Sequence, residues 1–281
     1  MRAGKGRHWP FCLHFLPIIL LSGGFAAQNT APVSDELRPG SPFPIPERLV
    51  YTVEWDPPWF LFFLPRMDAG EAELHLTGET EYNGKRALKI SFKARSSGTL
   101  VRLAGVRIDD EFTFLSDPDS LCTLAVTKKI REGKRRKQIN VEYLPDTRQL
   151  HIREMDEAAS PPKLTKDEIK PNLPECVQDP FSALYTFRKS SLKPGFVQIF
   201  TVGNDDKIKE VKSQVERQER IEGAAGTSLA WRVSTFALMG GLFKEGGQFR
   251  IWFSADERKL PIQFEAKVYL GRAFGKLKAV Q

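Results

Sequence analysis

From Glu47 onward the chain alternates apolar and polar residues with a period of two, and no other feature narrows its folding choices as much. Ala72, Leu74 and Leu76 alternate with Glu71, Glu73, His75 and Thr77. After Asn83-Gly84, residues that tolerate positive φ, Leu88, Ile90, Phe92 and Ala94 alternate with Lys89, Ser91, Lys93 and Arg95. Such alternation puts one face of a strand in a core and the other in water, and Asn-Gly closes the two runs into a hairpin. Similar stretches predict strands at 48–55, 106–115, 121–131, 137–144, 148–154, 196–203, 207–217, 228–237, 247–254 and 260–270. One wet face per strand indicates antiparallel pairing.

Only one segment argues clearly for a helix. Asp179-Pro180 supplies an N-cap and a first-turn proline, Phe181, Leu184, Tyr185 and Arg188 follow at helical spacing, and Lys193-Pro194-Gly195 ends the run. Residues 156–174, with four prolines and mixed charge, read as the loop leading to this helix. The expected fold is therefore all-β: a large antiparallel curved sheet forming an open barrel or β-spiral, with one short helix, in a single domain over 47–281.

The N-terminus reads as an export signal. Arg2, Lys5 and Arg7 precede an apolar run from Trp9 to Leu21, and small residues follow at Ser22, Gly23, Gly24, Ala26 and Ala27. The run is too short for a spanning helix and has the order of a secretory signal peptide; the alternative is an uncleaved anchor. Cleavage after Ala26 puts Gly24 and Ala26 at the small-residue positions, whereas cleavage after Ala27 would put Phe25 at one of them. Cys12 lies inside the apolar run rather than beside the cleavage point, which argues against a lipoprotein. Residues 1–26 are thus the expected signal, 27–46 a proline-rich flexible leader, and the mature protein is expected in the periplasm.

Two cysteines remain, Cys122 and Cys176. A bridge between them would close a loop of 54 residues, a constraint of roughly 4 kcal/mol on the unfolded chain; the alternative is two separate buried thiols. His75 and His151 are the histidines left beyond the signal, and neither they nor the cysteines show metal-ligand spacing, so no cofactor or metal is expected.

The basic balance, 42 Lys and Arg against 35 Asp and Glu, would ordinarily raise nucleic acid as a partner. Three bases leave with the signal, and seven of the remaining 39 crowd into ten residues: Lys128, Lys129, Arg131, Lys134, Arg135, Arg136 and Lys137, around Glu132-Gly133. Outside that hairpin the mature chain is slightly acidic, so a nucleic-acid surface is not expected. The hairpin end reads as a solvated tip or as a contact for anionic lipid headgroups. A second contact candidate is the run Trp59, Phe60, Leu61, Phe62, Phe63 and Leu64, bracketed by Pro57-Pro58 and Pro65. It would be buried, or exposed to a bilayer interface, a hydrophobic partner or an apolar ligand.

Asp179-Pro180-Phe181-Ser182-Ala183-Leu184-Tyr185-Thr186-Phe187-Arg188 resembles the D-x-x-S-A-L-Y-x-x-R signature of the bacterial family called domain of unknown function 3108. Two further blocks carry the resemblance: Glu47 to Trp55 with Ala69-Gly70-Glu71-Ala72, and Ile251-Trp252-Phe253-Ser254-Ala255-Asp256 with Leu260-Pro261-Ile262 and Gly271. The resemblance implies an exported, mostly β envelope protein without an assigned activity, whose curved sheet is similar in kind to periplasmic carriers of lipids and lipoproteins. The link between Trp55 and Met67 is longer here than in the family pattern.

Asp179, Ser182, Tyr185 and Arg188 would form one row on the helix. Asp179 is expected to cap it and Arg188 to pair with a sheet carboxylate such as Asp256. The functional expectation is a non-enzymatic envelope protein that binds a lipid, acyl chain, lipoprotein or other envelope partner on its concave face. The alternative is binding or hydrolysis of cell-envelope glycan, with Asp256, Glu257 and Asp179 as candidate carboxylates.

Overall fold

The computed structural model describes residues 43–61, 63–98, 107–223, 226–237, 249–267 and 271–281. The expected signal, nearly all of the leader, and Phe62 lie outside these residues.

Fourteen strands form one antiparallel sheet. Eight come before the helix: β1 (Glu47–Asp56), β2 (Met67–Tyr82), β3 (Lys85–Ser96), β4 (Asp109–Ser116), β5 (Thr123–Glu132), β6 (Arg135–Leu144), β7 (Gln149–Asp156) and β8 (Lys163–Pro171). The helix α1 spans Pro180–Lys189. Six strands follow: β9 (Val197–Asn204), β10 (Lys207–Gly223), β11 (Gly226–Ala237), β12 (Phe249–Ser254), β13 (Pro261–Lys267) and β14 (Arg272–Val280). Each strand pairs with its sequence neighbours within the two groups, and β1 also pairs with β14, so two meanders join into one sheet whose edges are β8 and β9.

The period-two pattern becomes the inner face of this sheet. On β1, Glu47, Leu49, Tyr51, Val53 and Trp55 are buried, and on β3 Leu88, Ile90, Phe92 and Ala94 are. Asn83 and Gly84 both have positive φ in the β2–β3 turn, as a tight hairpin requires.

The sheet curls without closing its hydrogen-bond ladder. Across the seam, Gln178 donates its N–H to Thr201 O at 2.9 Å and accepts from Gly203 N at 2.8 Å. Tyr143 of β6 lies so close to Gly203 of β9 that a methyl group there would collide with its hydroxyl. Thus the Tyr143 side chain of β6 reaches the backbone of β9 although no ladder joins the two strands. Lys166 and Lys170 of β8 reach Asp206, in the β9–β10 turn, at 2.9 and 2.8 Å.

Helix α1 packs inside the curl and divides the apolar core. Tyr185 belongs to the larger cluster, with side chains of β1 to β7. Ala183 and Phe187 belong to a second cluster with Phe200, Val202, Val211, Val233, Ile251 and Phe253.

Three boundaries differ from the sequence expectation. The prolines and mixed charge of 156–174 predict a loop, yet the segment contains β8. It is an edge strand solvated on both faces, so its residues alternate in neither charge nor polarity. The alternation also predicts no strand at β14, because Gly275 and the lysines interrupt it. Gly275 lies under the Phe264 ring, where a Cβ would collide. Finally, part of the expected leader is packed: Phe43 is buried, its ring centroid 5.0 Å from that of Tyr185, and half-buried Ile45 lies against the same core cluster, while Pro46 is exposed.

Candidate functional site

The family-signature residues fasten the helix. Asp179 caps α1, with Oδ1 accepting from Phe181 N at 2.9 Å and Ser182 N at 3.0 Å. Its Oδ2 accepts from the Ser182 hydroxyl at 2.5 Å, Thr123 at 3.0 Å and Ser116 at 3.3 Å. Asp179 and Ser182 are fully buried. The row is thus used internally, and Asp179 is closed to any substrate.

Arg188 does pair with a sheet carboxylate, but the partner is Glu47 on β1 rather than Asp256. Asp256 instead accepts from the Ser254 hydroxyl at 2.5 Å in the β12–β13 turn, and Glu257 follows it there, exposed. Trp252 lies on β12 and donates to Glu219 Oε1 at 2.6 Å. Asp179, Asp256 and Glu257 therefore do not line one cleft. Cys122 and Cys176 form a disulfide, with Cα atoms 5.2 Å apart.

Between α1 and the sheet lies a cavity of about 290 Å3. Its walls are mainly apolar, with Phe92, Phe112, Phe114, Phe181, Phe187 and Phe253 among the aromatic side chains. Phe181 stacks on Phe92 at 5.0 Å between centroids and meets Phe114 edge-on at 5.1 Å. Small-molecule sites are of this character and run from about 300 Å3 upward.

One end of the cavity is charged. Asp110, Lys128, Glu132, Arg135 and Asp205 line it where β4, β5, β6 and the β9–β10 turn come together. Lys128 donates to Asn204 at 2.5 Å and to Asp205 at 2.7 Å. Arg135 pairs with Glu132 at 2.7 Å. Asp110 accepts from Arg131 N at 2.7 Å. Burial pushes its carboxyl up to about 6, against the Arg131 N–H, which pulls the other way.

The basic hairpin is thus only partly a surface feature. Lys128 and Arg135 turn toward the cavity, Arg131 pairs with Glu157 at 3.8 Å, and Lys137 pairs with Glu154. Arg136 donates to Gly133 O and Arg135 O. Among the described residues Lys129, Lys134 and Arg136 have no ion-pair partner. Four of the seven bases are thus ion-paired and three are not, so about half of the local excess of positive charge read from sequence is compensated.

The aromatic run stands out from the surface. Trp59 is 86% exposed, Phe60 51% and Phe63 67%, while Leu61 and Leu64 pack back on the core. Because neighbouring strands alternate direction, the β1–β2 link carrying these rings opens at the same end of the barrel as the β5–β6 and β9–β10 turns. That is the charged end of the cavity.

Sequence reasoning missed Asp110, Phe112 and Phe114 as site residues. The signal was present: a lone acid on the apolar face of a strand, two and four residues before phenylalanines.

A family model described as "Protein of unknown function (DUF3108)" matches residues 50–278. The chain belongs to this family. No curated protein sequence matches it. Among solved structures, it is similar to the beta-barrel-like protein of domain of unknown function DUF1849 from Brucella abortus. The TM-score is 0.54 at 10% identity, over 84% of this chain and 97% of that one. The DUF3108 chain and the Brucella protein thus share a β-barrel-like fold.

Proposed function

We propose that this DUF3108 protein is an exported carrier, which holds a lipid or other ligand with a long apolar chain inside its curled sheet. The apolar cavity between α1 and β4, β5 and β9 to β13 carries this reading. A sheet whose inner face is phenylalanine and aliphatic gains about 25 cal/mol for each Å2 of ligand surface it removes from water. The signal-like N-terminus supports action in the periplasm. Trp59, Phe60 and Phe63 supply a surface that would meet a bilayer interface at the end where the cavity is polar, so a chain need not cross open water to enter.

Binding rather than glycan hydrolysis by Asp179, Asp256 and Glu257 is favoured by where those three acids lie. Asp179 is sealed under α1, and Asp256 and Glu257 sit on a turn away from the cavity. Native mass spectrometry of protein isolated from cell envelopes tests the carrier role. A bound species that dissociates as an apolar-chain compound is expected. A protein that is empty as isolated, and whose melting temperature no apolar-chain compound raises, would contradict it.

A further inference from the structure

Among the described residues, the charged groups lining the cavity mouth are paired with one another, Asp110 excepted. Lys128 is held by Asn204 and Asp205, and Arg135 by Glu132. Asp110 lines the same space with the residue only 1% exposed. Its Oδ1 takes the Arg131 N–H, and among the described residues its Oδ2 has no hydrogen-bond partner and no cation pairs with it. Arg131 sends its own guanidinium to Glu157 instead. Buried carboxylates are ordinarily paired or hydrogen-bonded through both oxygens, because losing water disfavours the charge strongly. Asp110 also begins a line along the inner face of β4, followed by Phe112 and Phe114, which runs from the mouth toward α1.

We propose that Asp110 is the headgroup subsite of the cavity, and that the chain it admits ends in an ammonium group, seated on the Asp110 carboxylate with the chain lying along Phe112 and Phe114. The assignment rests on the carrier function above and adds the chemical class of the head. An ammonium brings three donors and the missing positive charge. An anionic head would meet Asp110, Glu132 and Asp205, and the two cations that line the mouth among the described residues, Lys128 and Arg135, are already engaged. An ammonium head differs from the anionic headgroups that are one of the two readings of the basic hairpin, the other being a solvated tip.

The subsite has a pH signature. The charged groups facing Asp110 are Lys128 and Glu132 on β5, Arg135 on β6 and Asp205 in the β9–β10 turn; Asp109 beside it points outward to Arg95 at 3.1 Å. As pH falls through about 6, Asp110 takes a proton and the ammonium loses its counter-charge. A neutral chain is indifferent to that change.

Calorimetry with decylammonium, decanol and decanoate at pH 7.5 and pH 5 decides the matter. Decylammonium is expected to bind about tenfold more tightly than decanol at pH 7.5. The preference should shrink at pH 5 and vanish in Asp110→Asn, which should still bind decanol, while Asp109→Asn keeps it. Equal binding of the three compounds by the unaltered protein at pH 7.5 would overturn the subsite and leave the carrier function standing. Binding of none of them would overturn both. Should Asp110→Asn fail to fold, the two-pH comparison on the unaltered protein suffices: a preference for decylammonium that shrinks at pH 5 supports the subsite, and one that is the same at both pH values overturns it.

Discussion

Arg188 and Glu47 meet through the two terminal guanidinium nitrogens and both carboxylate oxygens, at 2.6 and 2.8 Å, where neither side chain reaches solvent. Tyr185 adds its hydroxyl to Glu47 at 2.9 Å, and Arg188 also donates to Arg258 O at 3.0 Å. The pair ties α1 to the first strand across 141 residues of chain. Together with the Phe43 ring, 4.7 Å from the guanidinium carbon, it closes the helix end of the curl.

Removing one partner leaves the other charged and buried. Glu47→Gln or Arg188→Met should each cost about 3 to 5 kcal/mol. The double variant should cost less than the two together, because no orphaned charge remains. Urea unfolding of the three variants measures this, and strict additivity would show that the pair is not coupled.

Much of this framework was readable from residues. The Asn83-Gly84 hairpin, the Asp179 cap and the alternation on β1 and β3 are local, and local chemistry specified them. The identity of Arg188's partner was not, because it depends on how the sheet rolls: β1 is brought under the helix, while the turn bearing Asp256 offers only a backbone oxygen, from Arg258. The cavity was not readable either. A packed core and a hollow one put the same apolar side chains inward, and an acid on the inner face does not tell them apart, since Glu47 on β1 enters a core ion pair while Asp110 on β4 lines the cavity.

The seam has an ionic clasp that titrates. Burial alone would raise the Asp206 carboxyl, but hydrogen bonds from Lys170 and Lys166, with their charges, outweigh it and hold the group well below the usual carboxylate range. A depressed folded-state pKa stabilises above the unfolded value, about 3.9, and the gain is lost as pH falls below that toward the folded one. Asp206→Asn should therefore lower stability by about 1 kcal/mol at neutral pH. The difference from the unaltered protein should persist to about pH 5 and shrink below about pH 4. Thermal melts across that range check it, and a difference that grows on acidification would refute the clasp.

The Cys122–Cys176 bridge ties the β4–β5 turn to the segment before α1, next to a hydrogen bond from Thr123 N to Val177 O at 2.8 Å. Replacing both cysteines by alanine should cost roughly 4 kcal/mol. The denaturation midpoint of the unaltered protein should fall by a matching amount in reductant, and equal midpoints with and without reductant would show that the bridge does not constrain the chain.

On the proposed carrier function the exposed rings Trp59, Phe60 and Phe63 serve contact rather than folding. Trp59→Ala with Phe60→Ala should change stability by no more than about 0.5 kcal/mol. Sedimentation with phospholipid vesicles should show binding weakened by about tenfold or more. Unchanged vesicle binding would show that the rings are not a membrane contact.

Filling the cavity tests the carrier function most directly. Ala183 on α1 lines it and faces Phe200 and Val233 across the second core cluster. Decanol titrated into the unaltered protein and into Ala183→Phe, each confirmed folded by its melting transition, should bind the first and fail to bind the second. Equal binding to both proteins would contradict a ligand held inside the curled sheet, as would binding to neither.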